Sequence, residues 1–163
     1  MILYDLGART GEALSLLDTS KYSKIIGYEA NPEIKDIPPG YTEWVKAAAW
    51  THDGTVKFIS GDGLSDCSGI EGYNCIYSRS ISSRVNEIPC VDFPKVVSEN
   101  GLCDVKIDIE GAEWVLVPAL IPLASLIKNL YIEWHHGDKG NPETAEDLTA
   151  KLKAGGVTVH QWF

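Results

Sequence analysis

The chain has 163 residues, a formal charge of −9 at pH 7 and a pI near 4.8. That length suits one domain, spanning 1–163, with a full α/β core. The acidity excludes an electrostatic footprint for nucleic acid or an anionic membrane surface, no apolar run reaches the length of a membrane span, and no signal peptide precedes the first apolar segment.

In chain order, Ile2–Leu6 reads as a short apolar strand that enters a glycine turn, Gly7-Ala8-Arg9-Thr10-Gly11. A helix is predicted from near Thr10, capped by its hydroxyl, with Ala13, Leu14, Leu16 and Leu17 as its apolar face. A second strand, Lys24–Tyr28, ends in Glu29-Ala30-Asn31-Pro32. Residues 33–41, rich in proline, form a loop, and a third strand is predicted over Thr42–Trp50. Thr51-His52-Asp53-Gly54 reads as a hairpin-like turn into a fourth strand, Thr55–Ser60. Gly61–Ser83, mixed in glycine and serine, is the longest irregular stretch and the candidate acceptor-binding lid. Regular alternation then returns: a strand at Arg84–Val91, a helix at Asp92–Asn100 and a core strand at Leu102–Ile109. A helix from Glu113 must be stopped or kinked by Pro118 and Pro122. A strand follows at Leu126–His135, then a helix capped by Asn141 with Pro142 at its first position, and a final strand at Val157–Phe163. Strands alternating with helices imply a mainly parallel sheet covered on both faces, a Rossmann-like α/β fold. Cys67, Cys75, Cys90 and Cys103 lack metal-type spacing and read as reduced thiols of a cytoplasmic protein.

The ligand class follows from the glycine turn and the acids. A strand, a glycine turn and a helix start, followed about 20 residues later by an acid, is where dinucleotide folds hold a ribose. The nicotinamide and flavin fingerprint needs a glycine where this chain has Arg9, and a P-loop needs lysine where Glu12 follows Gly11. A ligand without phosphate and with a positive sulfonium fits Asp5, Glu12 and Glu29 better. Asp5, Glu29, Asp108 and Glu133 all fall at strand ends, and such a convergence of acids calls for a positive partner, a sulfonium or a divalent metal. The structural alternative for each acid is a helix cap or a solvated loop position.

Asp5-Leu6-Gly7-Ala8-Arg9-Thr10-Gly11, Glu29-Ala30-Asn31-Pro32, Lys106-Ile107-Asp108-Ile109-Glu110-Gly111-Ala112-Glu113 and Ile132-Glu133-Trp134-His135 together resemble the FkbM family of S-adenosylmethionine-dependent methyltransferases. The resemblance spans most of the chain, and its most specific part is Lys106–Glu113. It implies that Asp5, Gly7, Ala8, Arg9 and Gly11 line the cofactor, that Glu29 holds its ribose with Ala30 and Asn31 beside the adenosine, and that Ala48, Ala49 and Trp50 pack on the adenine. It also implies that Asp108 with Glu110, and Glu133 with His135, lie on the acceptor side of the methyl group, with Ser65 and His136 as further acceptor contacts. Members methylate hydroxyl oxygens, often of sugars, so a small-molecule or glycan acceptor is expected. The chain departs from the family in lacking the residues that usually precede the first strand, and in reading Glu-Ala-Asn-Pro where Glu-Pro-Asn is commoner. The abrupt start points to a domain cut from a longer polypeptide, fused to glycosyltransferase-type modules.

A hydroxyl must lose its proton as it attacks a methyl sulfonium. Either a base takes it, His135 or Asp108, or a bound Mg or Mn ion held by Asp108 and Glu133 acidifies it. His52 and His160 are expected to have no role. Two other classes share the strand-and-turn logic: a nicotinamide-dependent oxidoreductase, and a non-catalytic Rossmann-like module that binds a partner through 61–83. A nucleic-acid methyltransferase is disfavoured by the negative charge and by the lack of an Asn/Asp-Pro-Pro-Tyr/Phe motif.

Overall fold

A computed structural model describes residues 1–60, 68–73, 84–135 and 142–162. The first half contains β1 (Ile2–Leu6), α1 (Glu12–Leu16), β2 (Lys24–Tyr28), β3 (Glu43–Val45), β4 (Ala48–Trp50), β5 (Gly54–Ser60) and β6 (Gly69–Ile70). The second half contains β7 (Arg84–Asp92), α2 (Phe93–Asn100), β8 (Cys103–Ile107), α3 (Glu113–Leu120), β9 (Ile127–Ile132), α4 (Ala145–Ala154) and β10 (Thr158–Gln161).

Six strands form a parallel sheet in the order β10-β9-β8-β1-β2-β3, flanked by helices, consistent with a Rossmann-like fold. The central strands β1 and β8 are buried along nearly their whole length because both of their faces are covered. Their charged residues, Asp5 in β1 and Asp104 and Lys106 in β8, are buried, so each needs a partner. Chain order runs outward from β1 through β2 to β3, then restarts at β8 and runs the other way through β9 to β10. The reversal falls between β1 and β8, which are in register from Ile2 opposite Cys103 to Leu6 opposite Ile107. Below their carboxyl ends, Tyr4 and Tyr28 pack edge-on against Phe93, with centroids 5.3 and 5.7 Å away. The first residue of α2 is thereby tied to β1, which leads into the glycine turn, and to β2, whose last residue accepts hydrogen bonds from it.

A second, four-stranded sheet in the order β4-β7-β5-β6 was not anticipated. The predicted strand over Thr42–Trp50 divides: β3 pairs with β2, whereas β4 pairs with β7 in the second sheet. Lys46, exposed, marks the break, and the small residues Ala47–Ala49 carry the chain from one sheet to the other. The turn at Thr51–Gly54 is therefore not a hairpin, because β7 lies between β4 and β5. Of the predicted lid at Gly61–Ser83 only Ser68–Tyr73 is described, and it contains the two-residue β6, antiparallel to β5.

Local signals at three helices resolve differently from expectation. The start of α1 is Gly11, at φ +80°, and no side chain caps it; the Thr10 hydroxyl donates to Glu12 instead. Of its expected apolar face only Ala13 is buried, and Leu16 is exposed. In α3, Pro118 does not end the helix, which runs to Leu120 before tightening into a 3-10 turn at Ile121–Leu126. Its Leu116, Val117 and Leu120 are fully buried, and that packing outweighs the hydrogen bond proline removes. The last helix begins at Ala145, capped by Thr144 in a reciprocal box with Asp147, rather than at the predicted Asn141, which lies outside the described residues. No described helix is long and apolar enough to cross a membrane.

Because Phe93 is fully buried against both tyrosines, Phe93→Ala should lower the unfolding free energy by about 3–5 kcal/mol. Denaturant unfolding checks this, and a loss under about 1 kcal/mol would show that the aromatic cluster is not what fixes these strands.

Candidate functional site

In open α/β sheets ligands bind beyond the carboxyl ends of the strands where strand order reverses, and here that crevice is built around Gly7. A Cβ on Gly7, at φ +76°, would stand 1.8 Å from the carbonyl oxygen of Asp108, so only glycine lets the ends of β1 and β8 meet. The N–H groups of Gly7 and Ala8 both donate to the Tyr28 carbonyl, at 3.0 and 3.1 Å, folding the turn over the end of β2. Arg9 follows in the left-handed region, φ +43°, and its N–H donates to Glu29 Oε2 at 2.7 Å. The other oxygen of Glu29 accepts from the Asn31 N–H at 2.6 Å. Burial raises the Glu29 carboxyl above its ordinary range, against the opposing pull of these two backbone donors. Asn31 accepts from the Glu33 N–H, which sets the loop after β2.

A cavity of about 440 Å³ opens between these strand ends and the second sheet. Gly7–Arg9, Tyr28–Asn31 and Ala47–Ala49 line one part of it, with Phe58 and Ile70 from β5 and β6. Lys106, Asp108, Glu110 and Glu133 line another. Among the lining side chains five are carboxylates (Glu12, Glu29, Asp108, Glu110 and Glu133) and two are cationic, Arg9 and Lys106. Three residues expected at the cofactor do not line this cavity. Asp5 is fully buried beneath the turn, Gly11 packs toward Pro38 and Tyr41, and Trp50 turns into the second sheet against Tyr73. Ser65 and His136 lie outside the described residues.

Asp5 is instead part of a buried charge array. The parallel register sets Lys106 of β8 beside Asp5 of β1, and Asp108, two residues on, points to the same side. The Lys106 ammonium lies 3.2 Å from Asp5 Oδ1, 3.3 Å from Asp108 Oδ2 and 3.1 Å from the Gly7 carbonyl. Tyr41 donates to the second Asp5 oxygen at 2.5 Å. Burial pulls the lysine pKa down, but Asp5 and Asp108 overcome it and raise it. A lysine inside an apolar central strand is the signal by which Lys106 could have been found from sequence; Tyr41 carries no such signal.

The second array is centred on His135. The turn from Ile109 to Glu113, with Glu110 at φ +58°, wraps the buried Glu113 carboxylate, which accepts from the Ile109 and Gly111 N–H groups at 2.9 Å each. Glu113 also meets His135 Nδ1 at 3.0 Å, and Trp114 Nε1 donates to the His135 carbonyl at 2.9 Å, so α3 grips both the ring and the backbone of the segment after β9. The other nitrogen, Nε2, faces Glu110 and Glu133 at 3.6 Å and Asp108 at 3.8 Å. Burial would lower the ring's pKa; the hydrogen bond and charge of Glu113, with Glu110 and Glu133, outweigh it and push it up to about 9. Near neutral pH this favours an imidazolium whose Nδ1–H donates to Glu113 while Nε2–H faces three carboxylates beyond hydrogen-bond distance, and the base role expected for the ring is open only toward that higher pH. Glu133 is raised by its own burial and then by Asp108. One ligand atom from each of Asp108, Glu133 and His135 falls within 4.8 Å of the others, a spacing that could hold a metal ion. His52 is exposed, and His160 meets Asn129 and stacks on Tyr131, both away from the cavity.

Compared with known protein families, curated proteins and solved structures, the chain matches none. What its architecture defines is a Rossmann-like α/β protein with an acidic cavity at the point where strand order reverses.

The raised His135 pKa fixes a pH dependence. Its contribution to stability is fully present below pH 6.5, the ring's ordinary pKa, and is lost as pH rises through about 9. The stability gap between the wild type and His135→Gln should therefore shrink by on the order of 2–3 kcal/mol between pH 6.5 and pH 9.5. Urea unfolding across that range measures it, and a gap independent of pH would show that the ring is neutral in the folded chain.

Proposed function

We propose that this chain transfers the methyl group of S-adenosylmethionine to a hydroxyl oxygen of an acceptor, a sugar or glycan being the class its resemblance to the FkbM methyltransferases implies. The observation that carries this reading is the pairing of Glu29 with the Gly7–Arg9 turn at the strand-order reversal, opening into a cavity lined by five carboxylates and two cations. A pyrophosphate placed there would meet an excess of negative charge, and α1, five residues long and uncapped, offers it no helix start. A sulfonium meets the opposite sign. The volume, about 440 Å³, lies within the range of small-molecule sites.

Glu29, with lone pairs left after its two backbone contacts, accepts from the ribose hydroxyls. Ala47–Ala49, Phe58 and Ile70 give the purine an apolar wall. Glu133, Asp108, Gly7 and Glu29 follow four adjacent strands, so three steps of about 4.8 Å separate the ribose acid from the far carboxylate. When bound, S-adenosylmethionine supplies an electrophilic methyl open to in-line displacement, and the work left to the protein is alignment of the acceptor oxygen. Asp108 or Glu133 takes the hydroxyl proton; the raised pKa of Glu133 brings it closer to the working pH of a general base. His135, as a cation between them, orients both carboxylates. A Mg or Mn ion would replace the Nε2 proton of His135, so that the ring, then neutral, would hold it together with Asp108 and Glu133, and the ion would acidify the hydroxyl.

Titration calorimetry with S-adenosylhomocysteine and, separately, with NAD tests this. The chain should bind the thioether and not the dinucleotide, and Glu29→Ala should weaken binding about ten- to a hundredfold. Preference for NAD, or no thioether binding at all, would overturn the reading.

A further inference from the structure

We infer that Lys106 is a positioning residue that holds Asp108 in one orientation and joins the donor turn to the acceptor end of the cavity; in its catalytic consequence, this rests on the function proposed above.

The ammonium is nearly enclosed, its side chain 4% exposed, and has three oxygen neighbours at 3.1–3.3 Å. Its hydrogen bond goes to the Gly7 carbonyl, and the two carboxylates hold it as ion pairs from either side. Two of the three neighbours, Asp5 and the Gly7 carbonyl, belong to β1 and the turn after it, and the third is Asp108 at the end of β8. The contact with Asp108 is made to Oδ2 alone, and Oδ1 faces His135 Nε2 across 3.8 Å. One oxygen is anchored and the other is presented to the acid cluster. The two ends do not depend on Lys106 equally. The turn has other anchors, the Gly7 and Ala8 bonds to Tyr28 and the Arg9 bond to Glu29, whereas among the described residues the closest charged partner of the Asp108 carboxylate is Lys106. Removing the ammonium therefore frees the carboxylate more than the turn.

Lys106→Met alone would strand the fully buried Asp5 charge and unfold the chain. The informative comparison is Asp5→Asn against Asp5→Asn/Lys106→Met, since asparagine still bonds Tyr41 and carries no charge. Three-bond couplings measured by NMR report the χ1 rotamer of Asp108. Wild type and Asp5→Asn should show one rotamer, and the double variant should show averaging. With a methyl acceptor in hand, kcat should fall about a hundredfold from the single to the double variant, while affinity for S-adenosylhomocysteine changes little. A single Asp108 rotamer in the double variant, or equal losses in kcat and thioether affinity, would overturn the assignment. If no form of the chain transfers a methyl group, the function proposed above fails, and the couplings still decide whether Lys106 positions Asp108.

Discussion

The site depends on how closely the ends of β1 and β8 approach. At Gly7 there is no room for a single methyl group against the Asp108 carbonyl, so the turn after β1 passes directly over the end of β8. From that contact follow the backbone bonds to Tyr28, the bond from Arg9 to Glu29, and the opening of the cavity at the reversal of strand order. Among the described residues, the two outside glycine with positive φ, Arg9 and Glu110, belong to the two turns that meet there, as backbone strain concentrates at functional sites.

Crowding acids at one sheet edge requires compensation, and the chain supplies part of it. Lys106 sits between Asp5 and Asp108, and His135 sits among Asp108, Glu110, Glu113 and Glu133. Six carboxylates, counting Glu29, share two internal cations. The balance is negative, and its exposed members, Asp108, Glu110 and Glu133, face the cavity rather than bulk solvent on all sides. A cationic or metal-assisted ligand chemistry is the kind that such an imbalance favours.

Much of this was legible in the sequence, because its signals are local. The apolar run into Gly7, the second run into Glu29 and the alternation of strands with helices place the turn, the acid and the parallel sheet without knowledge of the third dimension. What was not legible depends on register. Asp5 looked like a wall of the cavity because it precedes the glycine turn, but its pairing with Lys106 joins strands about a hundred positions apart. His135 looked like a base because histidine titrates near neutrality; Glu113, 22 residues away on α3, raises it. Thr42–Trp50 reads as one strand, and a single lysine at its middle, Lys46, does not by itself tell that its halves enter different sheets. At α4 two valid start signals compete, Asn141-Pro142 and Thr144-x-x-Asp147, and the reciprocal box wins by satisfying two backbone donors at once.

The most direct measurement is a crystal structure of the chain grown with S-adenosylhomocysteine. The account predicts the purine against Ala47–Ala49, both ribose hydroxyls on Glu29, and the sulfur turned toward Asp108 and Glu133. A thioether lying elsewhere, or one bound with its ribose away from Glu29, would contradict it.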